Sequence, residues 1–131
     1  MRILIVEDDY ITGQVMMEIA SAFGPADVAE DGFKAFELFT KALNEKDTYD
    51  VIFLDIMMPD IDGQEVLTKI REIEAGNGIK GLDCTKIIMT TALDDFQNIN
   101  SAFKNQAEGY IVKPVNTDKF VNSLIKLGLI E

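Results

Sequence analysis

Histidine is absent from the 131 residues. That removes Ser-His-Asp and Cys-His catalysis and leaves no imidazole for a metal. Any metal has to sit on oxygen ligands, which selects Mg²⁺, Mn²⁺ or Ca²⁺. Cysteine occurs once, at Cys84, which excludes an internal disulfide and any CxxC site. A single Cys opening a strand reads as a small buried hydrophobe. Cationic residues are few: 12 Lys and Arg against 23 Asp and Glu give a formal net charge of −11. Such a balance argues against nucleic acid, whose backbone needs Lys/Arg patches, and favours a metal cation or a partner with a basic face. No apolar run approaches the ~20 residues of a membrane span, and the N-terminus lacks a signal-peptide pattern. The expectation is a cytoplasmic protein with no membrane contact.

What is present is apolar content of 47%, enough for one domain with a proper core. Short apolar runs alternate with segments of helical period. Strands are expected at 2–7 (RILIVE), 26–30 (ADVAE), 50–54 (DVIFL), 86–90 and 109–112. Helices are expected at Tyr10–Phe23, Gly32–Leu43, Gln64–Ala75, Asp95–Gln106 and Asn116–Leu127. The first carries Ile11, Val15, Ile19 and Phe23 as a stripe and stops at Gly24-Pro25. Five strand–helix units without a repeat or linker imply an α/β fold, with a parallel sheet covered by helices on both faces.

Ligands of such sheets bind at the carboxyl ends of the strands. Here those ends are Glu7-Asp8-Asp9, Asp55, Thr90-Thr91 and Lys113, all charged or hydroxylic. The three adjacent carboxylates of VEDDY (6–10) stand out. Like charges 4 Å apart repel by roughly 4 kcal/mol at an effective dielectric near 20, so such a cluster points to a cation.

In order and spacing, ILIVEDD (3–9), VIFLDIMMPDIDG (51–63), IIMTTA (87–92) and GYIVKP (109–114) resemble the receiver domain of two-component response regulators. The resemblance spans the chain. It implies a doubly wound, flavodoxin-like sheet of order 2-1-3-4-5 with five helices, and residues 1–131 as a single receiver domain without an output domain. It implies a phosphorylation-dependent switch in a two-component system or phosphorelay. Such a regulator catalyses only its own phosphotransfer and dephosphorylation and is not an enzyme in the usual sense.

Residue by residue, the resemblance makes Asp55 the phosphoacceptor, since an acyl phosphate is labile and lets a signal decay. Asp8 and Asp55 become direct Mg²⁺ ligands, with Mn²⁺ an alternative. Glu7 acts through water, and the Met57 carbonyl is a further ligand. Asp9 falls outside that set and reads as a helix cap. Lys113, followed by Pro114 across a bond usually cis in the family, pairs with Asp55 and then with the phosphoryl group. Thr91 is the hydroxyl that meets the phosphoryl oxygen, though a one-residue slip would exchange it with Thr90. Tyr110 matches the aromatic that turns inward on activation. Pro59 and Gly63 shape the loop after Asp55.

With no histidine of its own, the chain takes its phosphoryl group from a histidine kinase, a histidine phosphotransfer protein or a small donor. A downstream protein would read the face of the fourth helix (95–106), fifth strand and fifth helix. Met16 and Met17 on the first helix suggest a donor-docking face, with core packing the alternative. Met57 and Leu93, two past Asp55 and Thr91, are apolar and imply slow hydrolysis. The loop at 76–84 is longer than most receivers carry.

Three other readings fit less well. A haloacid dehalogenase phosphatase would need a D-x-D-x-[TV] signature after its first strand, whereas Asp55-Ile56-Met57 lacks the second Asp and follows the third. A flavodoxin-like carrier needs a Ser/Thr/Gly-rich first loop, and VEDDY would repel a phosphate. A receiver-shaped binding module without chemistry sits poorly with an intact Asp8, Asp55, Thr91 and Lys113.

Overall fold

Five apolar runs form the sheet: β1 (Ile3–Val6), β2 (Ala26–Ala29), β3 (Val51–Asp55), β4 (Lys86–Thr91) and β5 (Gly109–Val112). They appear in a computed structural model that describes residues 1–58, 61–92 and 107–131. All neighbouring strands are parallel, in the order β2-β1-β3-β4-β5. β1 and β3 are buried along their whole length, as unbroken apolar strands covered on both faces must be. The register sets Ile3 opposite Val51, Asp55 opposite Thr90 and Thr91 opposite Val112.

Among the described residues four α-helices cover the sheet: α1 (Tyr10–Ala20), α2 (Gly32–Asn44), α3 (Gly63–Gly76) and α4 (Thr117–Lys126). The expected helix at 95–106, together with Pro59 and Leu93, lies outside the described residues. Each helix starts at an acid or amide whose side chain accepts a backbone N–H three residues on. These caps are Asp9 to Thr12, Asp31 to Lys34, Asp62 to Glu65 and Asn116 to Lys119. A cap of this kind is worth about 1 kcal/mol.

Alternation along the strands sorts the core into two layers. Leu4, Val6, Ile52, Leu54, Ile87 and Met89 pack with Phe39, Leu67 and Ile70 of α2 and α3. Ile3, Ile5, Val51, Phe53, Ile88 and Ile111 pack with Met16 and Ala20 of α1 and with Phe120 and Leu124 of α4. Phe53 and Phe120 stack with ring centroids 4.2 Å apart.

The expected stripe on α1 is corrected in part. Ile19 and Phe23 pack against the core, but Ile11 is 72% and Val15 44% exposed, while Gly13, Met16 and Ala20 face the sheet. The small side chains at 13 and 20 let the helix lie close to β1 and β2, which rotates the larger aliphatics outward. Met16, 1% exposed, is therefore core and cannot serve as a docking residue. The helix also ends at Ala20 rather than Phe23.

At the opposite, amino end of the sheet the long loop holds a 3₁₀ turn at Gly81–Asp83. Beside it, Arg71 of α3 donates to Glu74 (2.6 Å) and Glu108 (2.9 Å). Those two carboxylates accept the N–H groups of Thr85 (2.7 Å) and Ile87 (2.6 Å). The triad satisfies backbone donors at the start of β4 that would otherwise be buried without partners.

Two glycines separate close packing from mere accommodation. A Cβ on Gly63 would stand 2.4 Å from the Asp55 carbonyl oxygen and 2.7 Å from Ile56 Cα, both backbone. A Cβ on Gly13 would meet Val28 Cγ1 at an ordinary 3.6 Å. Gly63→Ala should therefore lose about 2–3 kcal/mol in urea unfolding, whereas Gly13→Ala, in a helix interior, should gain about 0.5–1 kcal/mol. A Gly63→Ala chain as stable as the parent would contradict the close approach.

Candidate functional site

Because all five strands run the same way, their carboxyl ends meet on one edge. β1 delivers Glu7 and Asp8, β3 ends in Asp55, β4 ends in Thr91, and β5 is followed by Lys113. Lys113 Nζ lies 2.9 Å from Glu7 Oε1 and 3.2 Å from Asp55 Oδ2, bridging β5 back to β1 and β3. The Lys113–Pro114 bond is cis. Glu7 and Asp55 are buried and Asp8 is exposed; each offers a carboxylate oxygen, all within 4.8 Å of one another.

Electrostatics here are strained. Burial, then the hydrogen bond and negative charge of Glu7, push the Asp55 carboxyl up to about 7, against the pull of Lys113. Glu7 goes the other way. Burial opposes its ionisation, yet hydrogen bonds from Lys113, Asp55 and the Asp9 N–H hold it below the ordinary glutamate value. For Lys113, burial is outweighed by the two carboxylates, which raise its pKa. One lysine thus faces two buried carboxylates, with Asp8 beside them. Hard, oxygen-only donors carrying surplus negative charge fit a small divalent cation. The Asp55 carboxylate also receives the Met57 N–H at 3.2 Å.

The alternation of β4 bears on the Thr90/Thr91 choice. Ile87 and Met89 face the α2/α3 layer, so Thr91 shares their face and Thr90 shares that of Ile88. Tyr110 packs against the same α2/α3 layer, with its hydroxyl out of solvent contact. Thr91 and Tyr110 therefore lie on one face of adjacent strands. Thr91 Oγ1 donates to the Ala92 carbonyl at 3.1 Å. Met57 is 60% exposed beside Asp55. Asp9 caps α1, its Oδ2 accepting the Thr12 N–H at 2.9 Å, which keeps it out of the acidic set.

The structure brings together Glu7, Asp8, Asp55 and Lys113, and sets Thr91 at the neighbouring strand end. Sequence reasoning did not foresee the direct Glu7–Lys113 pair. It also missed Lys119, whose ammonium donates to the carbonyls of Val112 and Pro114 on either side of Lys113. A lysine in the first turn of a helix was the available signal, since it opposes the helix dipole.

A family model described as the response regulator receiver domain matches residues 3–125. The chain is 39% identical over 114 residues to regulatory protein VanRB of Enterococcus faecalis, covering 86% of this chain and 46% of that protein. It is 32% identical over 124 residues to chemotaxis protein CheY of Halobacterium salinarum, covering 94% of this chain and 92% of that one. Among solved structures it is similar to response regulator protein TrrA of Thermotoga maritima in complex with Mg²⁺–BeF. That pair has a TM-score of 0.75 and 30% identity, over 96% of this chain and 97% of the other. The chain thus spans about half of VanRB and nearly all of CheY. No helix among the described residues is long and apolar enough to cross a membrane.

The raised Asp55 pKa has a stability consequence with a definite sign. The folded chain binds this proton more tightly than the unfolded chain does, so stability without metal falls as pH rises from about 4 through about 7. The lowered Glu7 acts in the opposite direction, below its ordinary 4.5. Asp55→Asn should therefore raise the metal-free melting temperature at pH 8 and much less at pH 5. The gain should reach a few kcal/mol, each pKa unit being worth about 1.4 kcal/mol. An equal effect at both pH values would show that the strain is not electrostatic.

Proposed function

The chain belongs to the response regulator receiver domains of two-component signalling, and from that premise we propose that Asp55 is its phosphoacceptor. The observation that carries this is the meeting of the Lys113 ammonium with Asp55 at 3.2 Å, inside a cluster whose Glu7 and Asp8 oxygens lie within 4.8 Å. An Asp55 oxygen attacks phosphorus and forms the acyl phosphate. The bond to the donor breaks, and its electron pair leaves with an imidazole nitrogen or, for acetyl phosphate, an acetate oxygen. Glu7, Asp8, Asp55 and the Met57 carbonyl would hold Mg²⁺, with Mn²⁺ the alternative. When bound, the ion supplies charge neutralisation to the carboxylates and the phosphoryl oxygens. Lys113 then transfers its pairing from carboxylate to phosphoryl oxygen, and the Thr91 hydroxyl donates to another.

As a receiver, the chain is a signalling switch rather than a conventional enzyme. Phosphorylation would bias an existing equilibrium, drawing Thr91 towards the new oxygens, with Tyr110 packing behind it on the same face. The readout surface would be the helix expected at 95–106 with β5 and α4. The switch would operate in the cytoplasm. A phosphohistidine donor would dock on α1, where Ile11 and Val15 line an apolar depression with Pro114 and Val115 next to Lys113.

Incubation with Mg²⁺ and acetyl phosphate should add one phosphoryl group to the intact mass of the parent and none to Asp55→Ala. An adduct on both chains would place the phosphoacceptor elsewhere. Decay of that adduct tests Met57, whose apolar side chain shields the anhydride and orients no water. Loss should be slow in the parent and about tenfold faster in Met57→Glu, a change of ~1.4 kcal/mol in barrier. A parent lifetime of seconds would contradict the shielding.

The docking face gives a separate expectation. Ile11→Asp should slow transfer from a phosphohistidine protein at least tenfold, about 1.4 kcal/mol, and leave acetyl phosphate labelling unchanged. Equal transfer rates would move the donor off α1.

A further inference from the structure

Lys119 stands in the first turn of α4, and its side chain turns back onto the segment that carries Lys113. Its Nζ donates to the Val112 carbonyl at 2.8 Å and to the Pro114 carbonyl at 3.2 Å. Those two carbonyls flank Lys113 in the chain. The Lys113 N–H donates to the Thr91 carbonyl at 2.7 Å. The backbone around Lys113 is thus pinned from β4 on one side and from α4 on the other. Its own ammonium projects from that anchored segment to Glu7 and Asp55.

Helix stability does not explain the cation. A lysine in a first turn faces the positive end of the helix dipole. The turn is already capped, since Asn116 Oδ1 accepts the Lys119 N–H at 2.9 Å. The same residue is therefore fixed through its backbone and free to use its ammonium on the β5–α4 connection. A charged donor shared by two carbonyls makes strong hydrogen bonds, and its two acceptors bracket Lys113, the cation aimed at Asp55 among the described residues.

We propose that Lys119 is a positioning residue for Lys113. It touches neither the metal site nor the phosphoryl group; it fixes the segment from which Lys113 reaches them. The inference rests on the phosphoacceptor reading above. Its consequence is selective. The carboxylates that would hold Mg²⁺ belong to β1 and β3 and do not depend on Lys119, whereas phosphoryl transfer depends on where the Lys113 ammonium stands. Small misplacements of a catalytic group lower rates steeply.

The test uses the full chain, acetyl phosphate as donor and Mg²⁺ titrated by calorimetry. Lys119→Met keeps the apolar stem and removes the donor; Lys119→Arg keeps a donor. At saturating Mg²⁺, Lys119→Met should be phosphorylated about tenfold more slowly than the parent, with Mg²⁺ affinity unchanged or tighter. Lys119→Arg should recover most of the rate. A Lys119→Met rate equal to the parent's overturns the proposal. So does a parallel loss of Mg²⁺ affinity and melting temperature, which would mark a purely structural residue, and so does an arginine variant as slow as the methionine one. A parent that takes up no phosphoryl group at all would instead remove the phosphoacceptor reading, and this inference with it.

Discussion

One ammonium held between two buried carboxylates governs this molecule. Lys113 reaches Glu7 at 2.9 Å and Asp55 at 3.2 Å, and both acids are almost without solvent contact. A buried ion pair gives up hydration that only good geometry can return, and here the charges do not balance. Burial, then the adjacent Glu7 carboxylate, push the Asp55 carboxyl up to about 7. The arrangement is tolerable because the surrounding strands are too well packed to relax, and it leaves the carboxyl edge of the sheet short of positive charge.

The scaffold supplies that rigidity through ordinary means. β1 and β3 are apolar and buried throughout, so the residues that end them have no freedom to drift. Asp9 takes the helix cap and thereby removes itself from the cluster, leaving Glu7 and Asp8 to face Asp55. Gly63 lets α3 begin against the backbone of Asp55 and Ile56, and its N–H donates to the Ile56 carbonyl at 2.8 Å. On the far side, Lys119 ties α4 to the connection that holds Lys113. Each device is local, and together they fix three charged groups from three strands within hydrogen-bond reach.

Much of this is legible in the sequence alone. Strand ends are marked by abrupt changes from apolar to charged residues, as at Val6-Glu7 and Leu54-Asp55, and those changes survive any error in element boundaries. The parallel direction of the strands follows from strand–helix alternation, and their order from the family resemblance. The phase of α1 was not legible, because its buried positions include Gly13 and Ala20, which carry no hydrophobic signal, while Ile11 and Val15 do. The pairing of Lys113 with Glu7 as well as Asp55 needs the positions of three strands at once. The triad of Arg71, Glu74 and Glu108 joins residues up to 37 apart, and nothing in a linear pattern distinguishes it from solvated charge. Alternation did separate Thr91 from Thr90, but only once the register of β4 against β3 and β5 was known.

The strain at this edge and its use are one property. A cluster stabilised fully by its own lysine would have little to gain from a cation, and one without the lysine would repel itself more strongly still. With Asp55 titrating at about 7, the metal-free site sits between those limits. A divalent cation held there would relieve the repulsion and leave Asp55 ionised, the form in which a carboxylate can act as a nucleophile. A phosphoryl group on Asp55 would bring new negative oxygens to the same edge and draw the lysine and the β4 hydroxyl towards them. On the phosphoacceptor reading, the resting site is poised for added positive charge rather than at its electrostatic minimum, and at neutral pH the raised Asp55 pKa makes the metal-free chain less stable than it would be without that repulsion.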